Sequence, residues 1–151
     1  VAAVGPAIEG FTDVELASVG RALGKLKRKN VWVPEDVAEQ WEGVVTRRMP
    51  RLSSFGLANV IYALKDLRQS RHTCTNASTP YPSAFLAAWS AASATALSQN
   101  LFTPQGVAMS IFALGFLKPH SLPPGFITHF TASTTFLLPN LAPRGLALLL
   151  H

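Results

Sequence analysis

One seven-residue phrase recurs along this chain and limits the folds open to it. Phe11-Thr12-Asp13-Val14-Glu15-Leu16-Ala17 returns as Leu52-Ser53-Ser54-Phe55-Gly56-Leu57-Ala58, and then as Phe102-Thr103-Pro104-Gln105-Gly106-Val107-Ala108. A fourth copy opens at Leu141-Ala142-Pro143-Arg144. Equivalent first residues are 41, 50 and 39 positions apart, and a period near forty with helical signals marks a stacked-repeat architecture.

Each copy encodes a helix start. The hydroxyls of Thr12, Ser53 and Thr103 are placed to accept from backbone N–H groups that the first helical turn leaves unpaired. Glu15, three residues after Thr12, has capping-box spacing. Pro104 and Pro143 follow their caps, where a missing N–H costs nothing and the fixed φ suits a helix. Phe11, Leu52, Phe102 and Leu141 lie five positions ahead of Leu16, Leu57, Val107 and Leu146, the spacing of a hydrophobic staple. Beyond the caps, Leu16, Ala17, Ala22, Leu23 and Leu26 recur as Leu57, Ala58, Ala63, Leu64 and Leu67, and as Val107, Ala108, Ala113, Leu114 and Leu117. This spacing defines one face of a helix rather than the alternation of a strand.

A second helix follows in each unit, opened by Pro34, Pro82 or Pro123. At steps of four it carries Val37, Trp41, Val45 and Met49, then Phe85, Trp89, Ser93 and Leu97, then Phe126, Phe130, Thr134 and Leu138. Residues so spaced share a stripe, and the central aromatics read as core wedges. A base-stacking role for Trp41 or Trp89 is the alternative, which burial would remove.

Neither helix can bury its apolar stripe alone, so the pairs are expected to stack. The expectation is an all-α chain, an α-solenoid of antiparallel helix pairs forming one domain over 1–151. Its whole repeats span 11–51, 52–101 and 102–140; 1–10 reads as the end of a preceding repeat and 141–151 as the start of another. A stretch without terminal caps is expected to be an internal piece of a longer protein. Repeat 2 is lengthened by 69–81, a Ser-, Thr- and Asn-rich segment read as an exposed loop, from which Arg71 and His72 could reach a partner.

The segment Phe102-Thr103-Pro104-Gln105-Gly106-Val107-Ala108-Met109-Ser110-Ile111-Phe112-Ala113-Leu114-Gly115-Phe116-Leu117 resembles the first-helix signature of octotricopeptide repeat proteins, the RNA-binding helical-repeat proteins of green-algal organelles. Gly56-Leu57-Ala58-Asn59-Val60-Ile61-Tyr62-Ala63-Leu64 is similar, with Tyr62 where the pattern usually has Trp. Pro123-Pro124-Gly125-Phe126 matches the opening of the family's second helix loosely. In repeat 1 Arg21 stands at the aromatic position, and Val33-Pro34 replaces the proline pair. The resemblance covers about 11–150. It implies an organellar RNA-binding module, in the mitochondrial matrix or alternatively the chloroplast stroma, with first-helix positions such as Ser18, Asn59 and Met109 facing bases.

Charge placement points the same way. Of thirteen Lys and Arg residues, eleven lie between 21 and 71, and no acidic residue follows Asp66. Lys25, Lys27, Arg28 and Lys29 close the first helix of repeat 1; Lys65, Arg68 and Arg71 close that of repeat 2; Lys118 holds the same place in repeat 3. Stacking would align them into one basic edge, with Arg47, Arg48 and Arg51 on the opposite edge. Such cations could simply complement helix dipoles. Two basic rows suit a phosphate backbone better, because each neutralised phosphate releases counterions and adds affinity.

Other chemistry is sparse. The chain is 48% apolar and 14% charged, without an uninterrupted run of eighteen apolar residues, so no membrane-spanning helix is expected. Cys74 is alone, which excludes an internal disulfide. His72, His120, His129 and His151 lack metal-ligand spacing. Gly20-Arg21-Ala22-Leu23-Gly24-Lys25 is one residue short of a phosphate loop, lacks the following Ser or Thr, and falls within a helix. Glu35, Asp36, Glu39 and Glu42 suit the start of a helix better than an acid–base pair. No enzymatic activity, cofactor, metal or small-molecule substrate is expected. Three repeats reading about one base each are too few to select a transcript. The expected role is therefore docking on structured RNA, ribosomal RNA first, beside neighbouring proteins of a mitochondrial ribosome. A transcript-specific organellar expression factor is one alternative, and a protein-interaction scaffold, using the weakly charged half with Phe112 and Phe116, is the other.

Overall fold

The computed structural model describes residues 5–69, 83–117, 122, 125–140, 142, 143 and 147, and within them the regular structure is all-helical. The six α-helices are α1 (Asp13–Arg28), α2 (Glu35–Arg48), α3 (Ser54–Gln69), α4 (Ser83–Ser98), α5 (Pro104–Leu117) and α6 (Phe126–Leu137). The insertion expected as a loop over 69–81 begins with a residue that is still helical, Gln69 at the end of α3; its remainder, with Arg71, His72 and Cys74, lies outside the described residues, as do Lys118 and most of the fourth copy of the phrase.

The expected caps form. Glu15 N–H donates to the Thr12 hydroxyl, while the Thr12 N–H donates to the Glu15 carboxylate at 2.7 Å. Ser53 and Thr103 accept from the N–H groups of Gly56 and Gly106 at 3.2 and 3.1 Å. The Thr12 backbone N–H first, and then its hydroxyl, hold the Glu15 carboxyl below its ordinary pKa. A carboxylate lowered in this way adds stability above its unfolded-state pKa, and that stability is lost as pH falls through the folded one. Glu15→Gln is therefore expected to be less stable than the wild type at neutral pH. The gap should close on acidification, as checked by thermal denaturation across the acid range.

Helices α1, α3 and α5 pack side by side in one layer, and α2, α4 and α6 form a second layer against it. Arg48 at the end of α2 donates to the Phe11 carbonyl just ahead of α1, and Arg68 near the end of α3 reaches Glu35 at the start of α2 and Glu42 at its middle. Successive helices in these pairs therefore run antiparallel, so α1 and α3 run in the same direction.

Between the layers the second-helix stripes are buried. Val37, Trp41, Val45 and Met49, and likewise Phe85, Trp89, Ser93 and Leu97, are almost wholly covered. The stripe holds less well in α6: Phe126 and Phe130 are buried, Thr134 is half-buried, and Leu138 is exposed because the α-helix has ended at Leu137 and passed into a 3-10 turn. The sequence places this start at Pro123, but α6 begins at Phe126, behind Gly125 at φ +81°.

One device occurs twice. The Trp41 indole N–H donates to the Leu16 carbonyl at 2.8 Å, and the Trp89 indole to the Leu57 carbonyl at 2.9 Å. Leu16 and Leu57 are equivalent positions of the recurring phrase, so each second helix is keyed to the preceding one by the same bond. A buried indole needs such an acceptor. Gly20 leaves room for Trp41, since a β-carbon there would overlap the indole ring. Both tryptophans are fully buried, which rules them out as base-stacking platforms.

Candidate nucleic-acid interface

The layer formed by α1, α3 and α5 has an outer face away from the second layer, and on it equivalent positions line up. Buried Leu16, Ala17, Leu23, Leu57, Ala58 and Leu64 turn Ser18, Arg21 and Lys25 of α1, and Asn59 and Tyr62 of α3, toward this face, whereas Asp66, the counterpart of Lys25, is buried. The Arg21 guanidinium lies 4.3 Å from the Tyr62 ring centroid. Tyr62 stacks on Phe112 with centroids 6.0 Å apart and planes inclined by 23°, and Phe112 meets Phe116 edge-on at 5.0 Å. A row of planar side chains thus crosses all three helices. Arg21, the α1 counterpart of Tyr62 and Phe112, continues that row, because a guanidinium stacks as a ring does.

Two of the predicted RNA-binding cations are turned inward, contrary to the expected continuous edge. Lys65 is 4% exposed. Its ammonium pairs with Asp66 at 2.7 Å, in a geometry that satisfies the ion pair but leaves Asp66 Oδ1 without an aligned hydrogen bond. The rings of Tyr62, Phe112 and Phe116 lie 4.2, 4.9 and 5.4 Å from the same ammonium. Enclosed by an anion and three π-faces, Lys65 binds α3 to α5 rather than meeting phosphate. Arg68 donates through Nη2 to both Glu42 carboxylate oxygens at 2.6 Å, and Glu35 lies 3.5 Å from Nη1. With both partners nearly buried, this pair fastens α3 to α2.

The opposite edge is likewise partly committed. Arg47 pairs with Glu9, while Arg48 donates to the carbonyls of Glu9 and Phe11 and lies 3.7 Å from Asp13. Arg51 is exposed and forms no ion pair among the described residues.

The end of α1 retains its charge. Lys25, Arg28 and Lys29 are exposed and form no ion pair among the described residues, while Lys27 is half-buried. Arg21, Ala22, Lys25, Arg28 and Asp66 line an open cleft of about 340 Å³ beside the planar row. Arg71 and Lys118 are outside the described residues. Ser18 and Asn59 lie on the outer face, but each donates to its own helix, Ser18 to the Val14 carbonyl and Asn59 to the Phe55 carbonyl. Their oxygens, and the half-buried Met109, are what this row offers to a partner.

One residue outside the repeat register joins the group. Trp32, in the turn after the Lys25 to Lys29 cluster, is 75% exposed, whereas Trp41 and Trp89 are 0% exposed. Its signal in the sequence was its place: it belongs to neither apolar stripe and follows four cations within seven residues. No described helix is long and apolar enough to cross a membrane, and no metal-binding group of His, Cys, Asp and Glu occurs among the described residues. Comparison of the chain with family models, curated proteins and solved structures finds no match.

Proposed function

We propose that this chain is an RNA-binding helical-repeat module, its two layers forming part of an α-solenoid. In this reading the end of α1 grips the phosphate backbone, and the outer face of α1, α3 and α5 lies against the nucleotides. The observation that carries the proposal is the coincidence of the exposed cations Lys25, Arg28 and Lys29, which form no ion pair among the described residues, with the planar row of Arg21, Tyr62 and Phe112. Phosphate contacts position an RNA without reading it, and planar side chains supply stacking surface. The likeness of 102–117 and 56–64 to octotricopeptide repeats supports the same reading. Few base-reading positions favour docking on structured RNA, and a mitochondrial ribosomal RNA is the form this takes.

Titration of a labelled RNA at several salt concentrations tests the proposal. Lys25→Glu, Arg28→Glu and Lys29→Glu together are expected to keep the fold at a modest cost in thermal stability, about 0.3–1 kcal/mol for each carboxylate set against the helix dipole, because all three side chains are exposed. They should weaken binding severely and flatten the slope of log affinity against log salt by about 2 to 3, at roughly 0.7–0.9 per phosphate contact. Binding that is insensitive to salt and to the triple reversal overturns it. That outcome would favour a protein-docking scaffold, the reading to which exposed Phe55, Phe116, Ile127 and Phe136 lend support.

A further inference from the structure

We infer that Trp32 stacks an unpaired nucleobase whose neighbouring phosphates are held by Lys25, Arg28 and Lys29. The partner is then RNA presenting single-stranded nucleotides rather than a continuous duplex. This inference rests on the RNA-binding reading and names the chemical form of its ligand.

The turn that carries Trp32 is anchored on both sides. Asn30 N–H donates to the Lys27 carbonyl and Val31 N–H to the Leu26 carbonyl, both at 3.0 Å. Asn30 stands at φ 57°. These two bonds across a left-handed residue make the Schellman closure of a helix, and Asn is among the few side chains that tolerate that backbone. On the far side Val33 and Pro34 are buried at the head of α2. With Val31 fastened to α1 and Val33 in the core, the indole between them is left in solvent on a short, braced support. A platform held in this way loses little conformational freedom when a base lands on it.

The surroundings select the ligand. Tryptophan is highly buried on average, and this chain encloses its other two completely. An exposed indole three, four and seven residues beyond Lys29, Arg28 and Lys25 in the chain combines the two elements of single-strand recognition, a stacking face and a basic track for the backbone. A duplex keeps its base faces stacked and paired, so it could use the cations but not the indole. Charge also gives the strand a direction. Asp36 and Glu39 are exposed on α2, and Glu35 is drawn toward Arg68. The backbone therefore runs from Trp32 back over the end of α1, away from the acidic first turn of α2.

The test compares an oligouridylate with an RNA duplex of equal total charge, using the whole chain. Trp32→Ala, exposed and outside the core, is expected to weaken oligouridylate binding about 5- to 140-fold, the range for removing one base–aromatic stack. Duplex affinity should be unchanged, and Trp32→Phe should retain most of the oligouridylate affinity. Because Trp41 and Trp89 are buried, iodide should quench chiefly Trp32, and oligouridylate should protect it. Equal binding of oligouridylate by wild type and Trp32→Ala overturns the inference and leaves the RNA-binding reading standing. Failure of both RNAs to bind at low salt overturns both. Polyglutamate that displaces oligouridylate and itself binds in a Trp32-dependent way assigns the surface to an acidic protein, which also overturns it.

Discussion

Gly20→Ala is expected to destabilise the wild-type chain by about 1–3 kcal/mol or more, yet to be harmless or stabilising by up to about 1 kcal/mol once Trp41 is also alanine. In the wild type an added β-carbon at position 20 meets the indole of Trp41. That ring cannot move aside without breaking its bond to the Leu16 carbonyl or parting α1 from α2. Trp41→Ala alone should cost about 3–5 kcal/mol, a large part of the roughly 5–15 kcal/mol that holds a typical domain together. With the indole gone, the clash is gone, and alanine's better helix propensity at position 20 is all that remains of the second change. Urea denaturation of the four proteins in the cycle measures the coupling. Additive effects would show that Trp41 does not press on Gly20.

The second large effect falls on a pair whose arginine had been expected to contact RNA. Glu42→Ala should destabilise by about 3–5 kcal/mol, because it leaves the nearly buried Arg68 without its main counter-charge. Arg68→Met should also destabilise, because it removes the guanidinium that neutralises the nearly buried Glu42 carboxylate. Glu42→Leu with Arg68→Met removes both charges and keeps the volume, so it is expected to be neutral or more stable by about 1–4 kcal/mol. RNA affinity separates this structural role from a binding one. The double variant should bind as the wild type does, whereas reversal of Lys25, Arg28 and Lys29 should abolish binding with the fold intact. A stable double variant that no longer binds RNA would return Arg68 to the interface.

Much of the helical layout was legible because the signals are local. Thr12 with Glu15, Ser53 with Gly56 and Thr103 with Gly106 act over three residues, and the stripes through Trp41 and Trp89 follow from 3.6 residues per turn. The start of α6 was misplaced by three residues. Pro123-Pro124 reads as an opening, but the helix begins behind Gly125, whose left-handed backbone forms the cap. The fate of the cations was not legible at all. Arg68 finds Glu42 across 26 residues, and Arg48 finds the Phe11 carbonyl across 37. A lysine near a helix end looks the same in sequence whether it faces water, as Lys25 does, or rings, as Lys65 does. Trp32 belongs to neither apolar stripe, so periodicity carries no mark of it.

The amino-acid sequence by itself determined that this chain is helical, where most of its helices begin, and which stripes seek burial, since capping, staples and periodicity depend on neighbours within two turns. Only the tertiary structure decided which charges remain free to meet a partner. Lys65, Arg48 and Arg68 are consumed in joining one helix to another, while Lys25, Arg28 and Lys29 form no ion pair among the described residues. The physical reason is that a charge is neutralised by whatever the packing of helices brings within a few ångströms of it, and separation along the chain carries no record of that distance.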